Sequence, residues 1–186
     1  MIRLIAGLGN PGAEYKNTRH NAGRMAAEYF AKKEGYAEFG YDKKSNSLIS
    51  KNREATITLP ETFMNKSGQA AAKLIRPRKE LKDLIVIHDD LDLPLGRFKI
   101  SYGKSSGGHK GVESVMRALK TKNFVRIRIG VSPKRKPAQK EVMRFIIGKF
   151  KPAELEIFKK VLKKISEALE MIVSDGHERA MSEFNQ

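Results

Sequence analysis

A histidine, a carboxylate and two asparagines are spaced along this chain so that a fold could gather them around a water molecule. Asn10 closes the glycine-rich stretch Gly7-Leu8-Gly9, and His20 follows it after Pro11-Gly12. Asn65 sits within Phe63-Met64-Asn65-Lys66-Ser67-Gly68, and Asp89 comes just after the apolar run Leu84-Ile85-Val86-Ile87 and His88. An imidazole near its ordinary pKa of about 6.5 accepts a proton from water at neutral pH, while a buried carboxylate fixes its tautomer and stabilises the imidazolium. Asparagine amides donate to a carbonyl or its oxyanion, each such donor being worth about 3 kcal/mol. Hydrolysis by activated water needs no further nucleophile.

These groups can meet only if segments 10–20, 63–68, 88–92 and 107–111 reach the same edge of a sheet. Short β-branched runs alternating with helix-period stripes predict an α/β fold of one domain. Its central sheet is expected to be twisted, mixed and mostly parallel, with helices on its flanks. Strands are predicted over 2–8, 47–50, 55–59, 84–87, 97–102 and 125–131, and helices over 21–34, 67–75, 112–119 and 152–174. The run 84–87 is continuously apolar, as in a strand buried on both faces, and His88-Asp89-Asp90 is expected to end it. In such sheets ligands bind beyond the carboxyl ends of the strands.

The charge narrows the ligand. The 186 residues carry 37 Lys+Arg against 21 Asp+Glu, a formal net charge of +16, and the pI is about 10.0. A polyanion, nucleic acid first, suits this better than a small neutral metabolite. The basic residues run from Arg3 to Arg179, so no tail is their source. The face of Lys159, Lys160, Lys163 and Lys164 on the long last helix reads as solvated surface, and 132–137 as an exposed basic loop. With 40% hydrophobic residues the chain can bury one core. The absence of Cys excludes disulfides, a thiol nucleophile and Cys-based zinc sites. No apolar run is long enough to span a membrane and no signal-peptide pattern is seen, so a cytoplasmic location is expected.

Four motifs match better-known sites in letters only. Gly7-x-Gly9-x-x-Gly12 has the dinucleotide spacing, but Pro11 and a helix expected to start near Asn17-Thr18 displace the third glycine from its place inside a helix. Gly103-x-Ser105-x-Gly107 resembles a hydrolase elbow, yet Gly107-Gly108-His109-Lys110-Gly111 stands where the helix should begin. Phe98 occupies the position where a P-loop needs glycine. His88-Asp89-Asp90-Leu91-Asp92 offers metal ligands without partners at metal-site spacing, and adjacent loop acids are more often turn formers or caps. No metal or cofactor is therefore expected. His88, His109 and His177 read as internally satisfied or surface histidines.

Five ordered segments, GLGNPGAEYKNTRHNAG, TFMNKSG, HDDLDLPLGRFKI, SSGGHKG and FVRIRIG, spread over about residues 3 to 150, closely resemble bacterial peptidyl-tRNA hydrolases. The resemblance implies a monomeric, metal-free α/β enzyme that cleaves the ester between a peptide and the terminal ribose of tRNA, recycling tRNA. It makes His20 the general base, Asp89 the residue that holds His20 in its basic form, and Asn10 the sensor of an acylated amino group. Tyr15, Phe63, Met64 and Asn65 would line the site for the peptide and the 3′ end, and Lys99 and Arg128 would face tRNA phosphate.

Tyr15 and Phe63 could alternatively be core aromatics, which exposure would separate, and Arg128 could simply cover the sheet's polar face. The family's loop commonly reads GGHNG, whereas this chain has Lys110. An ammonium only donates and is charged, so hydrolysis with altered affinity for the 3′ end is expected. A non-catalytic RNA-binding relative is the rival reading, against which His20, Asp89, Asn10 and Asn65 argue. A dinucleotide-dependent enzyme is a third.

Overall fold

The computed structural model describes residues 3–75, 81–133 and 135–185; Ile2, included in the first predicted strand, and Lys134 of the basic loop lie outside them. In chain order the elements are β1 (Arg3–Gly7), α1 (Ala22–Lys33), β2 (Gly40–Asp42), β3 (Ser47–Lys51), β4 (Ala55–Pro60), α2 (Ser67–Leu74) and β5 (Leu84–Pro94). They continue with β6 (Phe98–Tyr102), α3 (Lys110–Leu119), β7 (Val125–Ser132), α4 (Val142–Ile147), α5 (Pro152–Asp175) and α6 (His177–Phe184). The seven-stranded sheet has the order β2-β3-β4-β1-β5-β7-β6. β4, β1, β5 and β7 run parallel, and β2, β3 and β6 extend the sheet antiparallel at its two sides.

The alternation of strand residues divides the core. Ile5, Ile57, Ile85, Ile87, Ile127 and Ile129 face the layer of α1, α5 and α6, where Phe30, Phe158, Ile165 and Leu169 meet them. Ala6, Leu84 and Val86 face the other way, toward Ala71 of α2 and Val112 and Val115 of α3. Each fully buried aliphatic side chain is worth roughly 1.5–3 kcal/mol, so the four-residue apolar run at the start of β5, covered on both faces, anchors the sheet.

Small residues let α1 lie close to that strand. A Cβ on Gly23 would fall 2.1 Å from the Ile87 carbonyl oxygen, so the first turn of α1 touches the backbone of β5. This contact brings the residues just before α1 to the end of β5.

Several predicted boundaries move. β5 continues through His88, Asp89 and Asp90 to Pro94, because its ladder with β7 persists through Asp90 opposite Gly130 and resumes at Pro94 opposite Ser132. The polar side chains of this tail have partners of their own, so they did not have to end the strand. α1 begins at Ala22, after two short 3-10 turns (Ala13–Tyr15 and Arg19–Asn21) separated by Asn17 at φ 63°, and not near Asn17-Thr18. α3 begins at Lys110, with His109 as its N-cap. β2, α4 and α6 were not anticipated; α6 is split from α5 by Gly176 at φ 96°. Among the described residues no helix is long and apolar enough to cross a membrane.

Candidate active site

Asp89 lies between two imidazoles. His20 Nδ1 is 2.9 Å from its Oδ1 and 3.1 Å from its Oδ2, and His109 Nε2 is 2.8 Å from Oδ1. The carboxylate reaches this point from the polar tail of β5, His20 from the 3-10 turn before α1, and His109 from the start of α3. His20 and Asp89 are buried, with 7% and 3% of their surface exposed, so water does not screen the interaction.

The hydrogen bonds assign the protons. The backbone N–H of Val112 donates to His109 Nδ1 at 3.2 Å, capping α3. That nitrogen is therefore an acceptor, and the proton of a neutral His109 sits on Nε2, facing Asp89. An ionised carboxylate only accepts, so His20 likewise donates from Nδ1, and its Nε2 keeps the basic lone pair.

Burial works against the charged form of His20, but the charge of Asp89 and its hydrogen bond outweigh it and raise the pKa above 6.5. For Asp89 burial opposes ionisation too, yet the two imidazoles and their hydrogen bonds hold its pKa well below 3.8. The directions agree: charge on either partner is stabilised by the other.

Behind the pair, His88 is wholly buried, contacts the Asp89 backbone carbonyl through Nδ1 at 2.7 Å, and receives Arg126 Nη1 on Nε2 at 3.4 Å. Burial, then the charges of His109 and Arg126, push its pKa well below 6.5, so it stays neutral. Arg126 alternates with the apolar residues of β7, as a residue on a polar strand face would. It is instead buried, donates from Nη2 to the Ser105 carbonyl at 2.7 Å, and is pushed down to about 10 by burial and then by Arg128. It links the strand that carries Asp89 to the loop that leads to His109.

Candidate ligand atoms of His20, Asp89 and His109 lie within 4.8 Å of one another, a spacing a metal could use. A metal-bound imidazole normally donates through its other nitrogen. Here the Val112 N–H points at that nitrogen, so the His109 tautomer leaves no lone pair on Nε2, and the donor set suits a hydrogen-bonded carboxylate better than an ion. Of the acids of 88–92 only Asp89 belongs to this group: Asp90 bonds Arg128, and Asp92 pairs with Lys136.

Asn10 is held beside the His20 turn. Its backbone N–H donates to Asn21 Oδ1 and its carbonyl accepts from Asn21 Nδ2, both at 2.9 Å. Its Oδ1 accepts from the Met64 N–H at 2.8 Å, which orients the amide so that Nδ2 is left as the donor for a ligand. Met64 itself is buried, belongs to the α2–α3 core layer and packs under Gly111, so its tie to the site is its backbone and this packing. Phe63 is 57% exposed and meets Tyr15 edge-on at 6.3 Å between centroids, which excludes the core-aromatic alternative for Phe63. Asn65 is exposed on the adjoining turn.

A cavity of about 310 Å³ opens over His20 and Asp89. Its apolar wall is Leu91 from β5 with Val142, Met143 and Ile146 from α4, and Lys110 and Lys136 stand on its polar side. Lys110 is largely exposed and pairs with Glu113 at 3.1 Å. Lys99 and Arg128 are register partners on β6 and β7; Arg128 Nε reaches Asp90 Oδ2 at 2.7 Å and so adjoins the cavity through Asp90, whereas Lys99 lines a separate groove with Lys164 and Glu183.

Sequence reasoning missed His109 as a site residue, although a histidine standing before an amphipathic helical run was a readable N-cap signal. Of the three histidines read together as internally satisfied or surface residues, His88 is internally satisfied and His177 stacks on Tyr102 at 4.8 Å. The apolar wall gave no signal, because α4 is one short helix.

Comparison with known proteins gives the family. The family model described as peptidyl-tRNA hydrolase matches residues 4–186. The chain is 40% identical to the peptidyl-tRNA hydrolase of Thermodesulfovibrio yellowstonii, with 98% of each chain covered, and 39% identical to that of Dehalococcoides mccartyi, with 99% of this chain and 100% of the relative covered. It also superposes on the crystal structure of peptidyl-tRNA hydrolase from Acinetobacter baumannii with a TM-score of 0.90 at 30% identity, covering 99% of this chain and 94% of that one. The chain belongs to the peptidyl-tRNA hydrolase family.

Proposed function

We propose that this protein hydrolyses the ester joining a peptide to the 3′-terminal ribose of tRNA, using a water deprotonated by His20. The observation that carries the reading is the proton assignment around Asp89, which leaves His20 Nε2 basic at the cavity. The water gives its proton to Nε2 as its oxygen attacks the ester carbonyl. When the tetrahedral intermediate collapses, the carbonyl–ribose oxygen bond breaks and the imidazolium returns that proton to the leaving ribose oxygen. Asp89 stabilises the imidazolium meanwhile.

With its Oδ1 occupied by the Met64 N–H, Asn10 donates from Nδ2 to the carbonyl of an acylated amino group in this reading, a contact that a free ammonium on aminoacyl-tRNA would not supply. Exposed Phe63 and Asn65, with half-buried Tyr15, offer an aromatic and amide surface beside it for the 3′ end, and the Leu91–α4 wall receives the peptide. Lys99 and Arg128, with Lys110, supply cations for acceptor-stem and terminal phosphates. A monomer suffices, because one chain carries every group named.

Release of peptide from purified peptidyl-tRNA is the test. His20→Ala should lose roughly 10²–10⁴-fold in kcat; equal rates for variant and wild type would remove His20 as the base.

A further inference from the structure

Arg19 precedes the base in sequence, but its side chain reaches to the helix that forms the cavity's apolar wall. It is 7% exposed, and its Nη1 donates to the carbonyls of Phe145 at 3.3 Å and Gly148 at 3.2 Å. Nη2 meets Glu154 at 2.6 Å, and the guanidinium carbon lies 4.3 Å from the centre of the Phe145 ring. The backbones are joined as well, by Arg19 N–H to the Gly148 carbonyl at 3.1 Å and Phe150 N–H to the Asn17 carbonyl at 2.9 Å.

The end of α4 is thus fastened to the turn that presents His20. A helix this short has little stability of its own, so its place depends on what it docks against. A guanidinium at its C-terminal carbonyls supplies the missing donors and suits the local dipole.

From these contacts we infer that Arg19 is a positioning residue that registers α4 against His20 and so sets the depth of the wall receiving the acyl side chain. This rests on the hydrolase reading of the same site. Its effect falls on substrates with a side chain to place there, and not on the proton chemistry of His20. Lysine cannot reproduce the fork that reaches two carbonyls and a carboxylate together.

The test compares N-acetyl-leucyl-tRNA with N-acetyl-glycyl-tRNA in wild type, Arg19→Met and Arg19→Lys, with amide hydrogen exchange measured on each protein. Arg19→Met should raise KM for the leucyl substrate about tenfold and for the glycyl substrate less than about threefold. In both cases kcat and the acid limb of the pH profile should stay within about twofold, and exchange should speed up within 142–150. Arg19→Lys, which keeps a buried cation, should fall between.

A kcat loss equal for the two substrates, or a displaced acid limb, would overturn the proposal. Should wild type release no peptide, the hydrolase reading fails, and Arg19 is judged by exchange alone: faster exchange confined to 142–150 supports the clamp, and unchanged exchange refutes it.

Discussion

Asp89 and Asp92 stand on the same strand, yet they have been given opposite environments. Asp89 is 3% exposed in its side chain and held by two imidazoles; Asp92 is 53% exposed and meets the equally open Lys136. Between them Asp90, 9% exposed, takes Arg128. Along this strand end the partner changes from a group that can exchange protons to permanently charged groups, and burial falls with it. Identity of residue therefore says little about role. A carboxylate becomes part of proton chemistry when it is dry and its partners are imidazoles, and an ornament of the surface when it is wet and paired with lysine.

The widest gap should come from amide substitutions. Asp89→Asn should cut kcat by about 10³–10⁴, since the amide can donate to His20 and favour the wrong tautomer. In wild type the raised pKa of His20 places the acid limb of kcat/KM above 6.5, and the same substitution should move what activity remains to lower pH. A limb at or below 6.5 in wild type would contradict the pairing.

The same groups affect stability with different signs. His20 contributes stability that is complete below 6.5 and lost as pH rises through its raised folded value. Neutral His88 and ionised Asp89 do the reverse, losing their contributions as pH falls below 6.5 and 3.8 respectively toward their lower folded values. Acid titration followed by circular dichroism should therefore show destabilisation on the acid side.

His109→Ala should come next, lowering kcat about 10-fold to 100-fold and stability by about 1 kcal/mol, because it removes an Asp89 donor and a helix cap together. Loss of one without the other would separate the two roles. Arg128→Ala should raise KM several-fold and flatten its dependence on salt by roughly one counterion, leaving kcat within about threefold. A salt slope that did not change would exclude a phosphate contact. Asp92→Ala, at the wet end of the comparison, should change kcat and KM less than about threefold and stability by less than about 1 kcal/mol; a large kcat loss would mean that Asp92 is not the bystander its exposure suggests.

The repeating parts of the fold were legible because they obey periodicity. The apolar strands and the stripes of α1, α3 and α5 follow directly from sequence, and ends of strands implied where a site would lie. The tail of β5 was misread because polarity looks like an ending until Arg128 and the imidazoles, brought from distant segments, are known. α4 escaped because so short a helix takes its shape from docking and not from pattern. His20 and Asp89 were visible through motif and place. His109 was legible only as a cap local to 109–112; its contact with Asp89 exists only after α3 has folded against β5.

The double duty of His109 has a consequence for anyone wishing to make this protein more robust. Judged by helix rules, the start of α3 invites improvement: serine, aspartate or asparagine caps as well or better. Each is too short to cap the helix and also hold Asp89 as the imidazole does. A screen that rewards heat resistance alone would accept these exchanges and collect well-folded proteins with a loosened carboxylate, so cap optimisation should leave this one position untouched.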